Sequence, residues 1–415
     1  MSSKSTLHED WAVVWLGFLI ILVTLFIYVV PAPAFKWSDS QDLFSKAITP
    51  GNIGVILAQF VFVYIIGGLA IVLTGKPLKS FLIAFPVIFV IAIVAMILTG
   101  NKFMNDLGLE AVIFSLTFGL IIGNAAKLPE WFRQILSAEM FVKIGLVLLG
   151  AGVIFRDILK AGGLGLIQAL IVVISVWYFA FWICKRFKLD QELSMMISSA
   201  VSICGVSAAI ATAGAIKGDP KKLSYVISMV LITAIPMMIL MPVVARWMGL
   251  TQEVTGAWLG GTIDTTGAVV ASGTLVGDVA LKISTIVKFS QNVLLGLAAF
   301  AISVYWTYNG NAAEENVEKP TLGLIWDRFP KFVLGFIAVS LFFSFVLSPD
   351  TVAGVKDSLK GIQTLWFVMA FTSIGLETRF ADLFSAQGKT PLYAFLIAQG
   401  FNIIITLIVA YFLFG

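Results

Sequence analysis

Asp264 lies inside the apolar run 255–276, away from either end. A carboxylate at the centre of a bilayer costs roughly 2.5–3.5 kcal/mol on insertion scales, so such a residue is a functional candidate that needs a counter-charge, a proton or a bound cation. Lys288, in the next apolar run, supplies the obvious counter-charge. The expected role of the pair is to couple substrate movement to a proton or a sodium ion. Gln291 sits one turn further along the same helical face and Asn292 adds a second amide. The competing accounts are a lysine that snorkels to the interface, or an inert buried pair.

Two segments carry small hydroxyl residues and glycines in the middle of apolar runs. One reads Ser198-Ser199-Ala200-Val201-Ser202-Ile203-Cys204-Gly205-Val206-Ser207-Ala208, the other Gly260-Gly261-Thr262-Ile263-Asp264-Thr265-Thr266-Gly267. Glycine costs about 1 kcal/mol against alanine in a helix interior, and clusters of it at membrane depth are tolerated where backbone lines a cavity. A helix broken there offers free N–H groups and a positive dipole end, which bind an anion without an arginine. The expected substrate-binding residues are Ser202, Cys204, Gly205 and Ser207 from the first segment and Thr262, Asp264, Thr265 and Thr266 from the second, with Gln291 and Asn292. The alternative is a tight helix crossing whose Ser and Thr bond their own backbone. Asn124 and Glu377 sit near helix ends and are weaker candidates. Asp157, Asp219, Asp278 and Asp382 read as caps or turn residues.

Other chemistries lack their parts. The only histidine is His8, which excludes a membrane-embedded Ser–His protease, and Cys184 and Cys204 have no metal-ligand spacing. Gly277-Asp278 follows Leu275-Val276, so the paired-aspartate motif of an intramembrane protease is incomplete, and no G-x4-G-K-[ST] phosphate loop occurs. The chain is therefore expected not to be an enzyme and to need no cofactor or metal.

The elements that must position these residues are membrane helices. Of the 415 residues 59% are hydrophobic and 12% charged, with a mean hydropathy of +1.00; a soluble domain carries roughly 25% charged residues. Apolar runs fall at 11–30, 54–74, 80–99, 109–124, 141–155, 163–184, 193–216, 224–245, 255–276, 283–307, 331–348, 361–376 and 391–414. The fold expected is all-α and polytopic, with roughly 11–13 transmembrane helices, one or two of the runs being short or broken enough to re-enter. The run from Trp11 reads as a retained first helix rather than a cleaved signal. The domains expected are N-terminal helices over 1–108, a first core bundle with both broken helices over 109–307, a polar linker over 308–330, and C-terminal helices over 331–415. A second, amphipathic connection runs from Lys127 to Gln134.

Internal repeats support a duplicated transporter. Gly150, Asp157-Ile158 and Ala161 are matched by Gly375, Asp382-Leu383 and Ala386. An odd number of runs separates the copies, the mark of an inverted repeat. Ser207-Ala208-Ala209 through Gly218-Asp219 likewise lines up with Thr266-Gly267-Ala268 through Gly277-Asp278.

The run Lys143-Ile144-Gly145-Leu146-Val147-Leu148-Leu149-Gly150 with Arg156-Asp157-Ile158, the run Ser202 to Ala208, and Thr262-Ile263-Asp264 to Gly273 followed by Val287-Lys288 resemble the sulfate exporter (YeiH-type) family of membrane transporters. The resemblance covers roughly residues 110–415. It implies a membrane carrier of a small oxyanion. Three positions depart from the family pattern: Asp264 and Thr265 stand where a histidine and an acidic residue are usual, and Gln291 stands where an arginine is usual, which shifts the expectation toward a different anion or a cation-coupled mechanism. Cys204 to Pro242 is more distantly similar to the crossover region of the bile-acid/sodium symporter group, which has inverted repeats and uses sodium.

The function expected is secondary active transport of a small anion, sulfate or another sulfur oxyanion among them, in the cell (inner) membrane. Sodium-coupled carboxylate symport and an anion channel stay open as alternatives. The expected partners are the anion, a coupling proton or sodium ion and the bilayer, with no nucleic acid; a homodimer also stays open.

Overall fold

A computed structural model describes residues 7–106, 110–126, 128–133, 135–308, 322–378 and 389–415. Lys127, Gln134, linker residues 309–321 and the repeat residues Asp382, Leu383 and Ala386 lie outside the described residues. Among those described, the long elements are helices and no strand is formed. Nine of the helices are long and apolar enough to cross a membrane. The all-α, polytopic expectation therefore holds.

The long helices are α1 (Glu9–Phe26), α2 (Pro50–Leu73), α3 (Leu78–Thr99), α4 (Ala111–Ala125), α5 (Ala138–Leu149), α6 (Phe155–Arg186), α7 (Gln191–Ser199), α8 (Val206–Ile216), α9 (Pro220–Trp247), α10 (Gln252–Thr262), α11 (Thr266–Val276), α12 (Asp278–Tyr308), α13 (Lys331–Phe345), α14 (Pro349–Glu377) and α15 (Thr390–Phe414). Many start on a side-chain cap. Thr49, Asp219 and Ser348 accept a bond from the first turn and are followed by proline at the first helical position, where its missing N–H costs nothing.

The chain forms two compact units, residues 1–158 with 331–379 and residues 159–330 with 380–415. This cuts across the expected boundaries. Residues 109–158 join the N-terminal helices instead of the core bundle, and the C-terminal segment 331–415 is divided. Hydropathy locates helices but not which helices pack together, and each unit is assembled from distant stretches of chain.

In the first unit, one charge cluster fastens α1. The Lys143 ammonium meets Glu9 at 3.2 Å, Asp10 at 3.0 Å and Glu139 at 3.6 Å, and Lys76 meets Glu9 at 3.2 Å. Asp10 also accepts from the Lys331 backbone N–H at 2.9 Å. Asn124 acts at a helix end, donating to Leu120 O and Thr378 O at 2.9 Å each.

The second unit contains both interrupted runs, and neither passes straight through. At the neck of the first, Lys222 pairs with Asp190 at 2.9 Å and Glu192 at 3.1 Å, and Glu192 accepts from the Asp219 N–H at 3.3 Å. The chain thus enters α7 and leaves α8 at the same end. At the neck of the second, Gln252 Oε1 accepts from the Ala280 N–H at 3.4 Å, which brings the start of α10 to the end of α11. Both runs are re-entrant helical hairpins. The expectation of two discontinuous spans is met in the break and revised in the path. A single long helix, α9, separates the hairpins, and another, α12, follows the second, so hairpin-plus-span occurs twice with opposite orientation. The two sequences found to align, Ser207–Asp219 and Thr266–Asp278, are the returning arms α8 and α11 with the turn into the next helix.

Asp190 caps α7 by accepting from the Leu193 N–H at 3.0 Å. Burial raises the pKa of its carboxyl, but the Lys222 hydrogen bond and the Leu193 N–H outweigh this and hold it below the ordinary value. A depressed carboxyl adds stability above its unfolded pKa and loses it as pH falls through the folded value. Asp190→Ala is expected to lower stability by about 1 kcal/mol at neutral pH. The gap from wild type should narrow on acidification, as read by melting in detergent across pH; a gap that does not change with pH contradicts this.

Candidate functional site

The hairpin tips meet inside the second unit. The first turns through a π-helical turn at Ala200–Cys204 and then Gly205, whose φ of +61° and ψ of −113° suit glycine alone. A Cβ at Gly205 would stand 3.0 Å from Asp264 Cβ in the second tip and 2.7 Å from Val230 Cγ1. The second hairpin turns over Ile263, Asp264 and Thr265. Gly256 and Gly260 seat its first arm against the backbone of α12 at Ala280 and Ser284, a small-xxx-small contact.

Every helix ends with carbonyls that lack a partner within the helix, and at these tips the ends are buried. Three side chains satisfy them, each bridging both hairpins. Lys288 donates to Ile203 O at 2.8 Å and Ile263 O at 2.9 Å. Gln291 Nε2 donates to Ser202 O at 2.8 Å and Gly261 O at 3.2 Å. Asn402 Nδ2 donates to Val201 O at 3.0 Å and Thr262 O at 3.1 Å. Gln399 adds a second donor to Thr262 O at 3.1 Å. The third Lys288 proton goes to Gln291 Oε1 at 2.9 Å, so the ammonium is fully engaged.

The expected contact between Asp264 and Lys288 is therefore revised. Both are 1% exposed, and their charges act on one another across the tip. Among the described residues, however, no ion pair joins them. The broken ends' carbonyls compete for the ammonium and hold it. Asp264 Oδ2 has no hydrogen-bond partner from the protein.

With the negative ends of α7 and α10 occupied, the positive ends of α8 and α11 remain. No side chain caps α8, whose first N–H groups belong to Val206, Ser207 and Ala208. On α11, Thr265 Oγ1 accepts from the Ala268 N–H at 3.3 Å, leaving those of Thr266 and Gly267 without an intrahelical partner. Ser207 is exposed and Thr265, Thr266 and Gly267 are half-buried, so this side of the tips is accessible. Asn292 lies behind it, donating to Thr266 Oγ1 at 3.3 Å with its own carbonyl oxygen unpartnered.

The sequence-derived residues divide accordingly. Gly205, Ser207, Asp264, Thr265, Thr266, Lys288, Gln291 and Asn292 gather at the tips. Ser202 contributes its carbonyl only, because its hydroxyl donates to Ser198 O at 2.7 Å. Cys204 is buried within the π-turn. Thr262 is buried with its hydroxyl oxygen unpartnered. Gln399 and Asn402 were not expected. Two amides at i and i+3 in the otherwise apolar run 391–414 repeat the spacing of Lys288 and Gln291, which is the signal that marks them.

The family described as conserved hypothetical protein 698 matches residues 83–394. A UPF0324 membrane protein of Rhodopirellula baltica is 40% identical over 370 residues, covering 86% of this chain and 68% of that relative. One from Nitratidesulfovibrio vulgaris is 36% identical over 355 residues, covering 82% of this chain and 60% of that relative, so this chain spans less than two thirds of that relative's length. One from Yersinia pestis is 27% identical over 306 residues, covering 70% of this chain and 82% of that relative. No solved structure matches. The matched span takes in both hairpins and Lys288, and with these relatives it makes this chain a member of the UPF0324 membrane-protein family, described as conserved hypothetical protein 698.

Proposed function

We propose that this protein is a secondary active transporter of a small anion, a sulfur oxyanion such as sulfate among the candidates, working in the cell's inner membrane. One observation carries the reading: at two touching hairpin tips the negative helix ends are occupied by Lys288, Gln291 and Asn402, while the positive ends of α8 and α11 are left accessible. Each such end is worth about half a positive charge, and N–H groups at helix starts are ready anion ligands. The anion would be held by the N–H groups of Val206, Ser207, Ala208, Thr266 and Gly267 with the Ser207 hydroxyl. Asp264 and Lys288 would set the charge of the site and couple the anion to a cation. Paired inverted elements meeting at a central site are what alternating access requires.

The test is flux into proteoliposomes for a panel of sulfate, sulfite, thiosulfate, acetate, succinate and chloride. The reading expects saturable uptake of at least one anion, with accelerated exchange when the same anion is present on both sides. Single-channel current steps, or no flux of any anion, contradict it.

A further inference from the structure

Three buried oxygens at the tip of the second hairpin have no hydrogen-bond partner: Thr262 Oγ1, Asp264 Oδ2 and Gln399 Oε1. An unsatisfied buried acceptor costs about 1–3 kcal/mol, and more when charged, so three in one place call for an account. They belong together. Thr262 and Asp264 flank Ile263 in the turn, Gln399 Nε2 is bonded to the Thr262 carbonyl at 3.1 Å, and the Gln399 side chain also interacts with the Asp264 carboxylate. The bond to Thr262 O, with a second contact from Gln399 Nε2 to Met237 Sδ at 3.2 Å, fixes which end of the amide is nitrogen. Oxygen is what Gln399 has left to offer.

We infer that Thr262 Oγ1, Asp264 Oδ2 and Gln399 Oε1 form a sodium site. A proton on Asp264 would engage one of the other two oxygens at most, whereas a cation among them would engage all three. A hard cation takes oxygen ligands at roughly 2.3–2.6 Å. The donor set is one carboxylate with neutral hydroxyl and amide oxygens, which suits a single positive charge. Among the described residues no group of three or more His, Cys, Asp or Glu could hold a metal ion, and oxygen-only ligands do not suit soft transition metals.

Resting on the anion-carrier reading, the same site explains coupling. Asp264 and Lys288 alone sum to zero charge. Sodium beside Asp264 leaves the tips net positive, and an anion at the α8 and α11 starts restores neutrality, so each ion raises the other's affinity by the same factor.

The experiment is thermal melting of the purified full-length chain in detergent, titrated with sodium chloride against potassium and choline chloride at constant ionic strength. Saturable stabilisation by sodium alone is expected. Thr262→Val, Gln399→Leu and Asp264→Asn should each weaken half-saturation at least tenfold. Thr262→Val keeps the side chain's shape and removes an oxygen that makes no bond in the protein, so its folding is not at issue. Equal melting in the three salts, or an undiminished sodium response in Thr262→Val and Gln399→Leu, overturns the inference. Sodium stabilisation without anion flux would leave this site standing and remove the carrier reading; anion flux with no sodium response would do the reverse.

Discussion

Lys288→Met is expected to cut anion flux at least a hundredfold and to lower stability by about 3–5 kcal/mol, the cost of breaking a buried charge arrangement by removing one partner. Methionine is long and flexible enough to occupy the space, so the loss is one of donors and charge. Three acceptors lose their proton: Ile203 O, Ile263 O and Gln291 Oε1. Two of them are the frayed ends of separate hairpins, so the substitution also unties the tips from each other. Asp264 is left buried with no positive charge beside it. Gln291→Leu should act in the same direction and more weakly, because it removes two neutral bonds, to Ser202 O and Gly261 O, and one acceptor of the ammonium, but leaves the charge in place. Flux in proteoliposomes and melting in detergent read both effects; unchanged melting and flux in Lys288→Met would show that the ammonium does not hold the tips.

Gly205→Ala is expected to cost about 2–4 kcal/mol and to reduce flux more than tenfold. The backbone at Gly205 has positive φ with strongly negative ψ, a combination outside the regions open to an L-residue, and strain of this kind costs of order 1–3 kcal/mol. The added methyl also meets Val230 Cγ1 at 2.7 Å and Asp264 Cβ at 3.0 Å, and overpacking of this sort costs about 1–3 kcal/mol. To relieve the contact, the first tip must move away from the second, which separates the starts of α8 and α11. Gly163→Ala is the control. Gly163 is an exposed helical glycine whose Cβ would meet nothing within 4 Å, so that change should be neutral or slightly stabilising. Equal behaviour of the two variants would mean that the close approach of the tips is not needed.

The sequence exposed the charged parts of this site and concealed the geometry. Asp264 and Lys288 were legible because a charge inside an apolar run is costly enough to need a reason. Ser207, Thr265 and Thr266 were legible because glycine and hydroxyl residues clustered at mid-run disfavour an unbroken helix. The hairpins were not. The run 193–216 is as long as one crossing, and hydropathy cannot tell a helix that crosses from two short arms that return. What decides it is contact between residues far apart in the chain, Glu192 with Asp219 and Gln252 with Ala280. The Asp264–Lys288 pairing was inferred from charge alone, and it ignored the carbonyls that a broken helix leaves in want of donors. Gln399 and Asn402 leave little trace in the sequence because an uncharged amide barely interrupts an apolar run. The alignment of Ser207–Asp219 with Thr266–Asp278 is a truer guide than hydropathy, since it pairs the two returning arms.

The central claim is that the starts of α8 and α11 together hold an anion. Anomalous scattering from crystals of the wild-type protein soaked with selenate, and separately with bromide, tests it most directly. At least one anion should give a peak within roughly 3–4 Å of the N–H groups of Val206–Ala208 and Thr266–Gly267, as charge-assisted contacts to backbone donors require. No peak there with either anion, or peaks seated only elsewhere in the second unit, would contradict it.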